Sequence, residues 1–426
     1  MQIIKKKKVA FYTLGCKLNF AETSSLARMF DPVEYKIVDF KEKADIYIIN
    51  TCTVTANADK KSRNSIYRAI KKNDEALIVA VGCYSQLHAD KIAEIDGVDL
   101  VLGSNEKFNL TEYIDKYYAE KKAIYKCDYN NINTFLPAYS LGDRTRSFLK
   151  VQDGCDYFCT YCTIPFARGK SRNISIADIV EQAKEIAKND IKEIVLTGVN
   201  IGDFGKTTNE TFLDLLKQLH NVDGIERYRI SSIEPNLITE EIIQFVASSK
   251  KFMPHFHIPL QSGCNKILSL MQRKYNRELF AEKVETILKH IPHAGIGTDV
   301  IVGFPGETEY DLNDTYDFLN NLNLSYLHVF TYSERKGTKS VKFAGKVSPQ
   351  EKKLRSEKLH HLSEIIETKF AKANIGSKRK VLFENYNKNG IMYGYTDNYI
   401  RIQTPFNKQL SNQIVEVKLK QTDINL

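Results

Sequence analysis

Three cysteines lie close together in the segment GCDYFCTYCTIP, at positions 155, 159 and 162. This C-x3-C-x2-C spacing brings three thiolates near one another, and cysteine thiolates are the ligands that hold iron–sulfur clusters. A structural zinc site is the alternative, but zinc takes four ligands and no fourth cysteine or histidine stands in the segment. The spacing therefore favours a [4Fe–4S] cluster bound by Cys155, Cys159 and Cys162, the central set, with one iron open to a substrate or cofactor.

Three further cysteines, Cys16, Cys52 and Cys83, form an amino-terminal set, and each follows an apolar run: FYTLGC, IYIINTC and IVAVGC. If these runs are parallel strands, their carboxyl ends lie at one edge of a sheet, where open α/β sheets bind ligands. Gly15 and Gly82, directly before two of the cysteines, would let the backbone approach a bulky inorganic group. Three separate buried thiols are the alternative interpretation. The repeated position favours a shared metal site, either an iron–sulfur cluster or zinc with one open position.

The elements that must position the amino-terminal set alternate between strand and helix signals over residues 1–130. Strand-like runs lie at 8–13, 34–40, 45–50, 76–81 and 98–103, and amphipathic segments lie near 21–30, 59–72 and 87–95. Apolar strands alternating with helices are typical of a parallel sheet covered on both faces. We therefore predict an α/β fold whose first domain is a Rossmann-like parallel sheet.

A second strand and helix series positions the central set. Its strand signals lie at 147–154, 193–200, 228–235, 255–263, 296–307 and 326–333, with helical patterns such as 175–189 and 210–221 between them. A closed barrel of this type has eight units. Six units predict an open (β/α)6 partial barrel, with the central set on the face where such barrels carry active sites.

The carboxyl-terminal part is basic and then rich in short strand signals. Residues 346–380 contain ten Lys or Arg against four Asp or Glu, and 349–373 has helical spacing of its apolar residues. The strand signals that follow, with turn residues between them, predict a small β-barrel similar to an OB-type module.

The composition is that of a globular protein, with 42% hydrophobic and 27% charged residues. A net charge of +9 is compatible with a polyanionic partner. No apolar run approaches the roughly 18 residues of a membrane span, and the basic start lacks the apolar core of a signal peptide. We therefore expect a cytoplasmic protein that does not associate with membranes and whose cysteines are not paired in disulfides.

These features together resemble a known family. A C-x3-C-x2-C segment after the first strand of a six-unit βα barrel is similar to the radical S-adenosylmethionine (SAM) superfamily. The amino-terminal set and the carboxyl-terminal β module make the whole chain resemble the methylthiotransferases. The resemblance implies an amino-terminal methylthiotransferase domain (1–130), a radical SAM domain (140–370) and a TRAM RNA-binding domain (373–426). It also implies two [4Fe–4S] clusters and SAM as cofactors, with all six cysteines as ligands and catalytic residues.

The resemblance further implies separate roles for the two clusters. In the family, the cluster on the central set binds SAM and cleaves it to a 5′-deoxyadenosyl radical, while the cluster on the amino-terminal set carries the transferred sulfur. Residues implied to contact SAM are Tyr161, Gly198, Asn200, Ser232, Glu234, Gln261 and Asp299. Barrel packing or turn formation is the alternative role for these residues. Arg168 and Arg172 are implied to touch substrate, unless they belong to a solvated basic loop, and Cys127 and Cys264 match no ligand position.

Two substrates are known for the family: adenosine 37 of tRNA and an aspartate of a ribosomal protein. The basic carboxyl-terminal part, including Lys378, Arg379 and Lys380, favours contact with an RNA backbone. The sequence TLGCKLN around Cys16 and the segment 44–63 resemble the threonylcarbamoyladenosine branch, whereas the isopentenyladenosine branch tends to read Tyr-Gly-Cys-Gln-Met-Asn. The expected reaction replaces the C2 hydrogen of N6-threonylcarbamoyladenosine 37 with a methylthio group.

The same resemblance implies the partners. They are a tRNA anticodon stem-loop and an electron donor such as flavodoxin or ferredoxin, and the protein is expected to be a monomer. The alternative functions are methylthiolation of isopentenyladenosine 37, methylthiolation of the ribosomal-protein aspartate and, from a different class, a non-catalytic zinc-stabilised RNA-binding protein.

Overall fold

The computed structural model describes residues 6–121, 123–142 and 145–424, and the amino-terminal part of these forms one parallel sheet of six strands in the order β2-β1-β3-β4-β5-β6. The strands are β1 (Lys7–Thr13), β2 (Tyr35–Val38), β3 (Ile46–Thr51), β4 (Leu77–Gly82), β5 (Leu100–Leu102) and β6 (Ile124–Tyr125). The helices are α1 (Lys17–Ala27), α2 (Ala56–Lys72), α3 (Cys83–Leu87), α4 (Ala89–Ala93) and α5 (Leu110–Glu120). Apolar clusters cover both faces, with Tyr47 in one and Ile48 in the other. Strands β3 and β4 are buried throughout, which explains their continuous apolar sequences.

The central part forms two parallel three-stranded sheets, β7-β8-β9 and β10-β11-β12. The strands are β7 (Arg146–Lys150), β8 (Glu193–Thr197), β9 (Arg227–Ile230), β10 (His255–His257), β11 (Gly295–Val302) and β12 (Tyr326–Thr331). The helices are α6 (Ile164–Arg168), α7 (Ile176–Ala187), α8 (Phe212–His220), α9 (Glu240–Ser248), α10 (Asn265–Leu270), α11 (Arg277–His290) and α12 (Glu309–Asn321). Parallel bridges from Tyr228 to Phe252 and from Ser232 to His257 join the sheets into one curved wall. The predicted open (β/α)6 partial barrel is thereby confirmed.

The amino-terminal domain contacts the barrel at its first strand and just after its last strand. Ala21 of α1 lies in one apolar cluster with Phe148 of β7, the first barrel strand. Arg335, which follows the last barrel strand, donates hydrogen bonds to the hydroxyl of Thr53 (2.6 Å) and the carboxylate of Asp59 (2.8 Å). The residues that follow β1 and β3 therefore face the barrel.

A long helix and a small antiparallel sheet complete the described chain. They are α13 (Pro349–Asn374), β13 (Lys378–Phe383), β14 (Ile391–Thr396), β15 (Arg401–Pro405) and β16 (Ile414–Lys418), with the strands in the order β15-β14-β13-β16. This sheet has its own apolar core. Its β14–β15 turn docks on the barrel, because Arg229 donates hydrogen bonds to the carbonyl oxygens of Thr396 (3.3 Å) and Asp397 (3.1 Å). The predicted small β domain is confirmed as a four-stranded antiparallel sheet at the end where the barrel strands begin.

The barrel strands are shorter than their apolar runs predict. The run 147–154 ends its ladder at Lys150, and 255–263 contributes only His255–His257. The remaining residues leave the ladder because their backbone groups bond within loops, as when the N–H of Asp153 donates to the carbonyl oxygen of Arg172 (3.0 Å).

We propose three domains, at residues 1–130, 140–370 and 373–426, although α13 runs across the boundary near residue 373. In the described ranges, no helix is long and apolar enough to cross a membrane.

Candidate active site

The amino-terminal set converges at one edge of the parallel sheet. Strand β3 pairs with β1 on one side, and its last residue, Thr51, pairs with Gly82, the last residue of β4. This register places the loops after the three strands side by side. Cys52 and Cys83 are buried there, and Cys16 is exposed at the N-cap of α1. The structure thus brings the three predicted ligands to one place from separate segments.

Gly15 and Asn19 shape the space around these thiols. Gly15 has a φ of +97°, and a Cβ atom there would lie 2.8 Å from Cys52 Sγ. Asn19 donates hydrogen bonds to the carbonyl oxygens of Leu14 (2.7 Å) and Thr51 (3.1 Å), which ties two cysteine loops together. Glycine at position 15 leaves room for the backbone and the thiol to approach this closely. The result is a cradle that a larger residue would fill.

The chemistry of the donor set fits an iron–sulfur cluster. Burial, and then the charge of Cys83, raises the pKa of the Cys52 thiol to about 12, and a bound metal would hold such thiols as thiolates. Among the described residues, His257, Asp299 and His328 place three metal-binding atoms within 4.8 Å of one another, and neither cysteine set does so. One zinc ion with Zn–S bonds of about 2.3 Å would need its three sulfurs closer together than they are in either set. Wider spacing fits a cluster that takes each thiolate on a different iron.

The central set lies in the loop between β7 and α6, where the backbone itself serves the sulfurs. The N–H of Tyr157 donates to Cys155 Sγ and the N–H of Ile164 donates to Cys162 Sγ, each at 3.5 Å. Burial raises the pKa of both thiols to about 12. Hydrogen bonds to the sulfurs are one of the means by which a protein tunes an iron–sulfur cluster. The loop therefore presents its thiols with donors already in place.

Arg273, which the sequence analysis did not single out, completes this loop. Its guanidinium donates to Cys159 Sγ (3.1 Å) and to the Tyr161 hydroxyl (3.5 Å), and it forms an ion pair with Glu234. Only a forked, planar donor such as arginine can serve a sulfur, a hydroxyl and a carboxylate together. The segment LMQRKYN that contains it carries no spacing signal, so tertiary structure alone reveals this contact.

The residues implied to contact SAM gather on the face that carries the central set. They are Tyr161 in the cysteine loop, Gly198 and Asn200 after β8, Ser232 and Glu234 after β9, Gln261 after β10, and Asp299 within β11. Gln152, which no sequence pattern marks, holds the loop after β8 in place. Its Oε1 accepts hydrogen bonds from the N–H groups of Val199 (2.9 Å) and Asn200 (2.8 Å). Within the described chain, Asn200 Oδ1 is buried with no hydrogen-bond partner. A buried orphan acceptor fits a ligand that brings a donor, such as an amino group.

Asp299 sits between two histidines on neighbouring strands of the barrel. Its Oδ1 lies 2.9 Å from His257 Nε2 and 3.2 Å from His328 Nδ1. Burial favours the neutral carboxyl, but the two imidazoles prevail and hold the pKa of Asp299 well below its usual range. The exposed fraction of the side chain rises from 12% at His257 to 54% at His328. This group therefore borders open space inside the barrel.

Arg168 and Arg172 are not placed to touch substrate, and the prediction that they do so is wrong. Both are buried, and their guanidiniums bind carboxylates of the protein itself. Arg168 lies 3.0 Å from both Glu22 and Asp153, and Arg172 lies 3.1 Å from Asp153. The basic run FARGKSR does not reveal these partners because Glu22 lies 146 residues away in the chain.

The three basic residues at the start of β13 have different surroundings. Lys378 and Lys380 are exposed and stay candidates for RNA contact. Arg379 instead donates to Asn374 Oδ1 (3.0 Å) and lies 3.7 Å from Asp397. Its guanidinium therefore joins β13 to the end of α13 and to the docked turn, and contact of Arg379 with RNA stays a prediction.

Comparison with known proteins agrees with this geometry. Residues 8–103 match the family described as Uncharacterized protein family UPF0004, and residues 149–319 match the Radical SAM superfamily. The chain is 39% identical to the threonylcarbamoyladenosine tRNA methylthiotransferase MtaB of Bacillus subtilis, over 96% of this chain and 93% of that protein. It is 40% identical to the protein of the same name from Aquifex aeolicus, over 96% of this chain and 99% of that protein.

A solved structure shares the fold at much lower sequence identity. It is that of the radical S-adenosylmethionine methyltransferase TsrM from Kitasatospora setae, with a tryptophan substrate and a SAM analogue bound. The TM-score is 0.58 and the identity 15%, over 76% of this chain and 73% of that chain. Two cysteine triads across one domain junction, on this fold and with relatives this similar over nearly the whole length, place the chain in the radical SAM methylthiotransferase family, in its threonylcarbamoyladenosine tRNA methylthiotransferase branch.

Proposed function

We propose that this protein replaces the C2 hydrogen of N6-threonylcarbamoyladenosine 37 in tRNA with a methylthio group. The observation that carries the proposal is that two cysteine triads, each following the carboxyl ends of parallel strands, lie on the two sides of the junction where Arg168 of α6 pairs with Glu22 of α1. The central set would hold a [4Fe–4S] cluster that binds SAM, and the amino-terminal set a second [4Fe–4S] cluster. When bound, these groups supply the carbon radical and the sulfur for the reaction.

The residues of the chain hold and orient the two sites. Gly15 leaves room beside Cys52, and Arg273 fixes Cys159 relative to Glu234. Cys16 is the exposed member of its set, so we place the open side of that site toward the substrate. The base would enter between the two triads, where both reacting groups are within the same junction.

Lys17 supports threonylcarbamoyladenosine over isopentenyladenosine as the substrate. It directly follows Cys16, and no ion pair joins it to a carboxylate in the described residues. The side chain is open to solvent, yet desolvation by the surrounding protein lowers its pKa, with Tyr399 raising it and Arg146 lowering it further. Lys17 is the first residue of α1, which packs against β7, the first barrel strand, so the ammonium lies beside the barrel. A threonylcarbamoyl group carries a carboxylate that can pair with this ammonium, whereas an isopentenyl group carries no charge.

The basic surface of the small β domain supports RNA as the macromolecular partner. Lys378 and Lys380 are exposed on β13, where they can reach the phosphates of an anticodon stem-loop. We further propose a cytoplasmic monomer that receives single electrons from a donor such as flavodoxin or ferredoxin. Salt dependence of stem-loop binding measures the phosphate contacts, because each contact that is lost reduces the slope.

Nucleoside analysis of tRNA tests the proposal. A strain without the gene should lose 2-methylthio-N6-threonylcarbamoyladenosine and accumulate the unmethylthiolated nucleoside. The intact gene should restore the modification, and the Cys52→Ala and Cys155→Ala variants should not. Loss of methylthio-isopentenyladenosine instead would assign the other tRNA branch. Zinc without iron in protein purified anaerobically would leave only the RNA-binding alternative.

A further inference from the structure

Six buried charged side chains meet where the amino-terminal sheet contacts the barrel. We call them the junction network: Glu22, Lys107, Lys150, Asp153, Arg168 and Arg172. Glu22 lies 2.7 Å from Lys107, 3.1 Å from Lys150 and 3.0 Å from Arg168. Asp153 lies 2.7 Å from Lys150, 3.0 Å from Arg168 and 3.1 Å from Arg172. Each carboxylate thus serves three cations.

The junction network is not electrically neutral. Four cations face two carboxylates, and no side chain of the network is more than 7% exposed. The Phe108 ring lies 4.8 Å from the Lys107 ammonium and 5.2 Å from that of Lys150, but a ring solvates a cation without cancelling its charge. Uncompensated buried charge is costly. A further anion beside the network would therefore be stabilised.

The amino-terminal set supplies groups that can carry this missing negative charge. Arg168 reaches this set through Asn19, because its guanidinium donates to Asn19 Oδ1 (2.6 Å) and the amide of Asn19 donates to the carbonyl oxygens of Leu14 and Thr51 in two cysteine loops. Cys83 is the first residue of α3, which packs against α6, and Arg168 is the last residue of α6. Lys107 is joined to Arg168 through Glu22, so the positive charge of the network lies beside the loops that carry the three thiols.

In the part of the chain that the structure describes, the contacts of the central set show no such excess of positive charge. Arg273 lies 3.1 Å from Cys159 Sγ, and this arginine is already paired with Glu234. That pair is neutral as a whole. The two cysteine sets therefore lie in different electrostatic surroundings, although they face the same junction.

We infer that the junction network raises the reduction potential of the cluster on the amino-terminal set above that of the cluster on the central set. One-electron reduction adds one negative charge to a cluster, and nearby fixed positive charge stabilises the reduced form. Low exposure strengthens this interaction because water does not screen it. Arg168 and Lys107 are then positioning residues, because their positive charges act on the cluster without binding it. The inference rests on the proposed function in requiring that both sets bind clusters.

Two near-isosteric substitutions of opposite sign test the inference. Lys107→Met removes a positive charge, and Glu22→Gln removes a negative one. The measurement is an anaerobic redox titration of the full-length protein with both clusters, followed by electron paramagnetic resonance, with dithionite as the one-electron reductant. A protein in which the central cysteines are replaced by alanine assigns the signal of the amino-terminal cluster. Lys36→Met, on the exposed edge strand β2, is the matched surface control.

The expected results differ in sign between the variants. Lys107→Met should shift the midpoint potential of the amino-terminal cluster downward and Glu22→Gln upward, while the central cluster stays near its original value. Arg168→Lys should keep the original potential because it keeps the charge. Unchanged potentials, or equal shifts in both clusters, in whichever charge variant folds and retains iron would overturn the inference. A wild-type protein that binds one cluster would instead overturn the proposed function.

Discussion

Lys17→Gln changes the cation that we place opposite the substrate carboxylate, and glutamine is the residue that the other tRNA branch tends to carry there. A hydrogen bond between an ammonium and a carboxylate contributes about 1.5–3 kcal/mol. The Lys17 side chain is exposed to solvent, so the lower part of this range, about 1.5–2 kcal/mol, is appropriate. Because about 1.4 kcal/mol corresponds to a factor of ten, kcat/KM should fall by about 10- to 30-fold.

The assay compares two anticodon stem-loops that differ only in the threonylcarbamoyl group, one with the free carboxylate and one with its methyl ester. Wild-type enzyme should prefer the acid by about 10- to 30-fold in kcat/KM, and Lys17→Gln should treat acid and ester alike. Fluorescence anisotropy with the same stem-loops measures the binding part of the preference. Lys17→Arg should retain the preference, and Lys36→Gln, on exposed β2, should leave it unchanged.

The dependence of this preference on pH follows from the lowered pKa of Lys17. Desolvation is the main cause of the lowering from the usual 10.5. The charged ammonium is present below the lowered pKa and is lost as the pH rises through it. The preference for the acid should therefore weaken at a pH where an ordinary lysine is still charged. If Lys17→Gln keeps the wild-type preference for acid over ester, the assignment of Lys17 to the substrate carboxylate is refuted.

Three further changes test other parts of the structure. Gly15→Ala should reduce iron bound to the amino-terminal set, measured by iron analysis, because a Cβ would lie 2.8 Å from Cys52 Sγ at a φ of +97°; normal iron content would contradict the cradle. Cys52→Ala should leave about four irons per chain, whereas Cys264→Ser, whose Sγ lies 3.3 Å from Asp311 Oδ1, should keep the wild-type content; equal losses would remove the distinction. Glu22→Ala should lower the free energy of unfolding of the amino-terminal part by about 3–5 kcal/mol, because it leaves buried cations unpaired; circular dichroism in urea should show this loss, and an effect no larger than that of the exposed control Glu34→Ala would refute it.

Much of the chemistry was predictable because it depends on residue type and local spacing. Cys155, Cys159 and Cys162 lie within one loop, so their convergence needs little tertiary information. Cys16, Cys52 and Cys83 are far apart in the chain, but each follows an apolar run of a parallel sheet, and strand ends in such a sheet share an edge. The alternation of apolar strands and amphipathic helices likewise indicated the sheet and the six-unit barrel.

The roles of the charged residues were decided by the tertiary structure. Arg168 looks like a member of a basic loop in sequence, but folding brings Glu22 to it from another domain, and the pair is buried. Arg273 reaches Cys159 from 114 residues away. Local sequence shows a charge, whereas burial and the distance to a counter-charge set its energy, and both arise only when distant segments pack together. The sequence by itself therefore determined which atoms can hold the clusters, and the packing of the amino-terminal sheet on the barrel decided which charges surround them.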